Sequence, residues 1–409
     1  MTFETELPKS NSLSIWQTYL GLTVALVLSI LVSVAHSQDS SSETETATSV
    51  PLWKLTYRDH EGKSVTTEGR ILTRAADGGL LLERRDGYLL NVIPDAIIEQ
   101  QQTTSDFSYL TSDELATSLQ QELGTGFLTH QTEHYVLLSE LSPDYTEWAG
   151  TLLEQMYGQF FREWSKAELK LHEPRCPLPI LLFQDRERFQ EYVKTELLQD
   201  TLPNQGFYSV RTNRVVLIDL AEGKTWLEAR NARAGDQQLA EAMLNTSTIV
   251  HEGVHQLCYN TGMLARFSDA PLWLSEGIAL YFETPSQRSR TGWGGSGRIN
   301  NSRLFRFRDF MDKERPDNSL TTLISSNSRL EQQETALNAY AESWLFTSFL
   351  MKRRRQNLET YLKSLGEKTP FVWDDTAKRT SDFEAAFGKE WEDLEKEFLN
   401  FVRRLRPSR

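Results

Sequence analysis

The feature that most restricts how this chain can fold is the pentapeptide His251-Glu252-Gly253-Val254-His255. It lies in an apolar stretch with Thr248, Ile249 and Val250 before it and Leu257 after it. On a helix, positions i and i+4 share a face, so both imidazoles point to one place. Apolar residues on more than one side of that helix imply burial. Two buried histidines need partners, and a metal ion would serve both. Neutral imidazole binds zinc at roughly 2.0–2.1 Å, so the spacing supplies two legs of a tetrahedral site. Glu252 would lie beside the ion, where it can take a proton from an activated water.

A third ligand is then required, and no histidine follows His255. Cys258 and Thr261 stand where a third histidine would follow a glycine in the three-histidine version of this motif. The alternative is a carboxylate from a second helix. The run Pro271-Leu272-Trp273-Leu274-Ser275-Glu276-Gly277-Ile278-Ala279-Leu280-Tyr281-Phe282 contains one charge, Glu276. A lone carboxylate on an apolar helix is costly to bury unless it is paired or coordinated. Pro271 suits a first helical turn, with Ser268 or Asp269 expected as cap. Gly277 would let another helix approach closely.

The two segments together resemble the gluzincin metallopeptidases, and twenty residues separate His255 from Glu276, close to the spacing of those families. More narrowly, the chain resembles the uncharacterised DUF1570 family of planctomycete-type bacteria. That likeness rests on Glu133-His134-Tyr135, Gly206-Phe207-Tyr208-Ser209, Thr212-Asn213-Arg214-Val215, the two metal motifs and Tyr340-Ala341-Glu342-Ser343-Trp344. It implies a zinc-dependent peptidase in which His251, His255 and Glu276 hold Zn2+ and Glu252 is the general base. It also makes Tyr340 the candidate donor to a developing oxyanion. Gluzincins often carry an acid four residues after the ligand glutamate to orient a histidine. Here that position is Leu280, so a backbone carbonyl or another acid is expected to do this work. The other reading of the same residues is a non-catalytic envelope protein that keeps a zincin fold for binding.

The fold class expected is α+β. A zincin-like domain with a mixed sheet and an active-site helix would occupy 104–409, preceded by a small SH3-like β-barrel over 51–103. The barrel is inferred from short apolar runs beginning at Leu52-Trp53-Lys54-Leu55, separated by Glu61-Gly62, Asp77-Gly78-Gly79 and Asp86-Gly87. Farther on, His134–Leu138 and Leu178–Phe183 read as strands. Trp148, Leu152, Met156, Phe160 and Trp164 recur at helical spacing as core. Phe207–Val210 and Arg214–Ile218 form a hairpin about Thr212-Asn213, whose edge borders the cleft in zincins and can pair with an extended peptide. The loop Thr291–Gly297 lacks the lysine of a phosphate loop and is expected to be a mobile cleft rim.

Ser10–Gln38 contains no Asp, Glu, Lys or Arg, and Leu20–Ala35 is almost continuously apolar. Residues 1–37 therefore read as a signal peptide, with Ala35-His36-Ser37 offering a cleavage site, or as a membrane anchor. Either one places the rest outside the cytoplasm: periplasmic, secreted or held at the outer face of the inner membrane. Residues 38–50, rich in Ser, Thr and Glu, read as a flexible linker. The net charge of -13 argues against nucleic acid as a partner and leaves a peptide or protein substrate. Lys352–Arg355 and Arg403–Arg406 are expected to be solvated helix ends. His130, His134 and His172 read as partnered structural histidines. Cys176 and Cys258 allow one disulfide, or a buried thiol at Cys258.

Overall fold

The computed structural model describes residues 50–165, 168–197, 205–232 and 235–408. The expected signal or anchor segment and the linker up to residue 49 lie outside these residues. Among the described residues no helix is long and apolar enough to cross a membrane.

The architecture is α+β, with two sheets and a helical C-terminal half. The first sheet holds β1 (Pro51–Arg58), β2 (Ser64–Arg74), β3 (Leu80–Arg84), β4 (Leu89–Val92) and β5 (Ile97–Asp106) in the order β4-β3-β2-β1-β5. Every pairing is antiparallel. One face buries Leu55, Leu80, Leu82 and Val92. The expected barrel is not closed, because β4 and β5 remain edges. The physical reason lies in β5. Its run Glu99–Gln102 is exposed throughout, so it has no apolar face to wrap against β4. The last strand also runs to Asp106, slightly beyond the expected boundary at 103.

The second sheet contains β6 (Leu128–Gln131), β7 (Tyr135–Ser139), β8 (Leu178–Phe183), β9 (Gly206–Tyr208) and β10 (Val215–Ile218), in the order β6-β7-β8-β10-β9. It is mixed: β7, β8 and β10 run parallel and the two outer strands antiparallel. The central strands are buried on both faces, and their side chains alternate between two cores. Tyr135, Leu137, Ile180, Leu182, Val215 and Leu217 join the large core shared with helices Pro143–Trp164 and Asp236–Asn260. Val136, Leu138, Leu181, Phe183, Val216 and Ile218 face helices Ser112–Leu123 and Arg186–Leu197.

The expected hairpin is present as β9 and β10. Its turn depends on Asn213, which is fully buried with φ 63°. Asparagine tolerates this left-handed geometry when its side chain is bonded locally. Here the amide oxygen accepts from Tyr208 Oη (2.9 Å) and Asn260 Nδ2 (2.6 Å). The backbone carbonyl accepts from Gln256 Nε2 at 2.8 Å. The turn is thereby fastened to the helix that carries the pentapeptide.

The C-terminal half packs helices Leu272–Glu283, Asn301–Lys313, Gln333–Arg353, Arg355–Gly366, Thr376–Phe387 and Trp391–Arg404 around the same large core. The cap expected for the Glu276 helix differs from the one observed. Pro271 itself occupies the N-cap position and no side chain caps by hydrogen bond. Asp269 is committed to an ion pair with Arg379, and Ser268 donates to the Ala265 carbonyl. The Leu272 N–H is instead met by Asn327 Oδ1 at 3.3 Å. The two sheets are joined through Arg266, which donates to the carbonyls of Gly87, Val210 and Arg211.

Candidate metal centre

The pentapeptide lies near the C-terminal end of helix Asp236–Asn260, with Ile249, Val250, Val254 and Leu257 in the core. Gly253 has a packing reason. A Cβ there would come within 2.8 Å of Met156 Cε and 3.2 Å of Leu153 Cδ2, on helix Pro143–Trp164. That close approach presses the apolar side of the helix onto the core and turns His251 to the opposite side.

Glu276 is 4 % exposed on helix Leu272–Glu283. Gly277 beside it does permit a close helix contact, as expected. The partner is helix Gln333–Arg353: a Cβ at residue 277 would sit 2.1 Å from Thr347 Oγ1 and 2.9 Å from the Ser343 carbonyl oxygen.

The three side chains expected to act together do meet. His251 Nε2 lies 3.1 Å from His255 Nε2. Glu276 Oε2 lies 3.3 Å from His251 Nε2, and Oε1 lies 3.5 Å from His255 Nε2. Among the described residues this is the one group of three or more His, Cys, Asp or Glu side chains arranged so that it could hold a metal ion. Glu276 Oε2 is buried and has no hydrogen-bond partner. A buried, unsatisfied carboxylate oxygen facing two imidazole nitrogens leaves room for a cation to complete the set.

Each histidine is held from behind. His251 Nδ1 is 2.8 Å from Glu283 Oε2, and the other oxygen of Glu283 accepts from Arg303 Nη2 at 2.9 Å. Glu283 is thus the acid that Leu280 could not supply. It lies seven residues, or two helical turns, beyond Glu276, and so on the same face. His255 Nδ1 is 3.2 Å from Ser275 Oγ, which in turn bonds to Tyr259. These bonds leave both Nε2 atoms turned toward Glu276.

Glu252 is 4 % exposed and lies by the backbone N–H of Tyr208 on edge strand β9. Burial pushes its carboxyl above the ordinary range, against the pull of the two histidines. Glu276 moves the other way. Burial would raise it, but the nearby His255 and His251 imidazoles outweigh that and lower it. Burial would lower the His251 imidazolium pKa, yet Glu276 and Glu283 overcome the penalty and raise it. The cluster therefore favours positive charge at its centre.

Tyr340 is buried in the core on helix Gln333–Arg353, which packs along the Glu276 helix. The loop Thr291–Gly297 is not the open rim expected from its glycines. Trp293 is fully buried and donates to the Phe282 carbonyl at 2.6 Å. Of the other histidines, His134 pairs with Glu154 at 2.7 Å and stacks on Tyr157. His172 Nδ1 is bonded to the Glu173 carbonyl, and His130 lies against Gly150. Cys176 and Cys258 are both free thiols, and burial pushes the Cys176 thiol up to about 12.

Residues 245–372 match the family described as "Protein of unknown function (DUF1570)". The match spans the pentapeptide, Glu276, Glu283, Arg303 and Tyr340, and supports a place for the chain in that family. No curated protein matches the chain.

Proposed function

We propose that this protein is a zinc-dependent peptidase of the gluzincin kind. The observation that carries the reading is the convergence of His251 Nε2 and His255 Nε2, 3.1 Å apart, on the Glu276 carboxylate, whose Oε2 is 3.3 Å from the first and Oε1 3.5 Å from the second. Ligands about 2.05 Å from a tetrahedral zinc lie about 3.3 Å from one another. Contacts of this length, together with the buried Glu276 carboxylate, support a shared divalent ion.

His251 and His255 would bind through Nε2 and Glu276 through its carboxylate. When bound, zinc supplies Lewis acidity that brings the pKa of a water toward about 7. Glu252 lies by the Tyr208 N–H. It would accept a proton at its carboxylate and return it to the leaving amine nitrogen as the peptide C–N bond breaks. Burial around Glu252 and Glu276 limits competing water. Tyr340 is proposed as the oxyanion donor. A zincin-like arrangement of the second sheet and pentapeptide helix, with the first sheet as a small SH3-like appendage, fits this reading. So does export directed by residues 1–37.

Cleavage of a mixed peptide library, with and without chelator, tests the activity. Glu252→Gln should keep zinc and lose cleavage. Zinc binding with no cleavage of any peptide by the unaltered protein would leave the binding-protein reading in its place.

A further inference from the structure

An acidic chain with net charge -13 carries one strongly basic interval beside its candidate centre. Between Thr284 and Arg308 there are six arginines and no Asp or Glu. The interval begins where helix Leu272–Glu283 ends, directly after the carboxylate that holds His251. Two of the six have internal duties. Arg303 pairs with Glu283, and Arg308 donates to the carbonyls of Val402 and Leu405. The other four, Arg288, Arg290, Arg298 and Arg306, are exposed. None of the four forms an ion pair among the described residues.

Two arginines of the other basic clusters are paired internally. Arg354 pairs with Glu397, and Arg355 with Glu163 and Glu359. Arg354 and Arg355 are neutralised within the fold, whereas Arg353, Arg403, Arg404 and Arg406 are exposed and in no ion pair among the described residues. The four beside the centre are left with positive charge directed to solvent, on a surface whose overall field repels anions.

Arg288, Arg290 and Arg298 sit on one loop whose position is set by contacts to the core. The Pro285–Trp293 bridge closes it, and Trp226 Nε1 donates to the Ser289 carbonyl at 3.1 Å. Gly292 rests against Trp226 and Thr246, and Gln287 Nε2 reaches Met243 Sδ at 3.9 Å. Met243 and Thr246 lie on the pentapeptide helix, one to two turns before His251. The Arg298 guanidinium folds back against Gly294 in the same loop. The basic surface thus borders the helix that presents His251 and Glu252. Helix Asn301–Lys313 adds Arg306 in its second turn, next to Phe305, 53 % exposed.

We infer that this arginine surface docks an acidic stretch of the polypeptide that the centre acts on, so that substrates are chosen by carboxylates flanking the bond cleaved. The inference rests on the peptidase reading for the word substrate, but the docking itself needs no turnover. Guanidinium forks suit carboxylates in bidentate geometry, and rim charges of this kind set encounter rate and partner choice.

The test is fluorescence anisotropy with the full chain carrying Glu252→Gln, so that the probe survives. A short labelled glutamate-rich peptide is compared with a lysine-rich peptide of equal length. The same chain is then made with Arg288→Ser, Arg290→Ser, Arg298→Ser and Arg306→Ser together. These exposed sites carry no internal contact that the fold needs, and zinc content and thermal midpoint check that both forms are intact. The glutamate peptide should bind, weaken with added salt, and lose affinity on the order of tenfold or more in the fourfold variant. The lysine peptide should bind neither form. Equal binding of the glutamate peptide to both forms, or no preference between the two peptides, overturns the inference. Failure of the peptidase reading would show separately, as absent zinc or absent cleavage.

Discussion

Replacing Glu283 probes how the candidate centre is held together. Its carboxylate takes the Nδ1 side of His251 at 2.8 Å and the Arg303 guanidinium at 2.9 Å. Both are charge-assisted contacts on a side chain that is 11 % exposed. In Glu283→Ala the imidazole loses the bond that fixes its rotation and tautomer, so Nε2 no longer has a preset direction. Loss of such an outer partner costs about 10–100-fold in metal affinity. That range corresponds to about 1.4–2.8 kcal/mol. Glu283→Gln keeps an acceptor oxygen for Nδ1 but no charge, so it should fall near the tenfold end and Glu283→Ala near the hundredfold end. Arg303 is 21 % exposed and can turn toward water, which limits the cost of leaving it unpaired. Competition for zinc against a chromophoric chelator gives the affinity, and thermal unfolding of the metal-free forms reports any loss of fold. If Glu283→Ala bound zinc as tightly as the unaltered protein, with the same thermal midpoint, Glu283 would have no part in positioning His251.

Other outcomes follow from packing and charge. Gly277→Ala places a methyl group in the space of Thr347 Oγ1, so the helices must separate. The expected loss is about 1–3 kcal/mol, read from denaturant unfolding. Glu342 is fully buried between Arg315 and Arg329, and Glu342→Ala leaves Arg329 without its carboxylate and Arg315 with Glu395 alone, at a cost of about 3–5 kcal/mol. An unchanged midpoint would show the network to be solvated. For Glu122, burial raises the carboxyl pKa, but the bidentate bond and charge of Arg214 outweigh this, so the net shift is downward. A depressed folded value means stabilisation above the unfolded pKa of about 4.3, lost as pH falls through the folded one. The stability difference between the unaltered protein and Glu122→Gln should therefore be full at neutral pH and vanish in acid. A difference that grows on acidification would reverse the assignment.

The parts of the site that could be read in advance were those set by local periodicity. The i, i+4 spacing of His251 and His255 and the lone charge on the Glu276 helix are properties of single segments. So are the hairpin at Asn213 and the strand at Leu178–Phe183. Leu280 one turn after Glu276 points to another acid or a carbonyl behind His251, but nothing local to the segment singles out Glu283. The structure uses the second turn, which the same periodicity allows. The cap of the Glu276 helix is not legible in its own segment, because a distant residue, Arg379, claims Asp269. Closure of the first sheet depends on whether β4 and β5 pair, and turn residues carry no information on that. The glycines of Thr291–Gly297 suggested mobility, but one buried tryptophan anchors the loop. Tyr340 shows the same boundary: its residue type suggests a donor, while its place on a buried helix equally serves packing.

The central claim is that His251, His255 and Glu276 jointly bind one divalent ion. Elemental analysis of the purified protein after zinc loading and desalting, beside Glu276→Ala treated identically, tests it most directly. One zinc per chain in the first and little or none in the second is the expected result. No stoichiometric zinc in the unaltered protein, or the same content in both, would contradict the account.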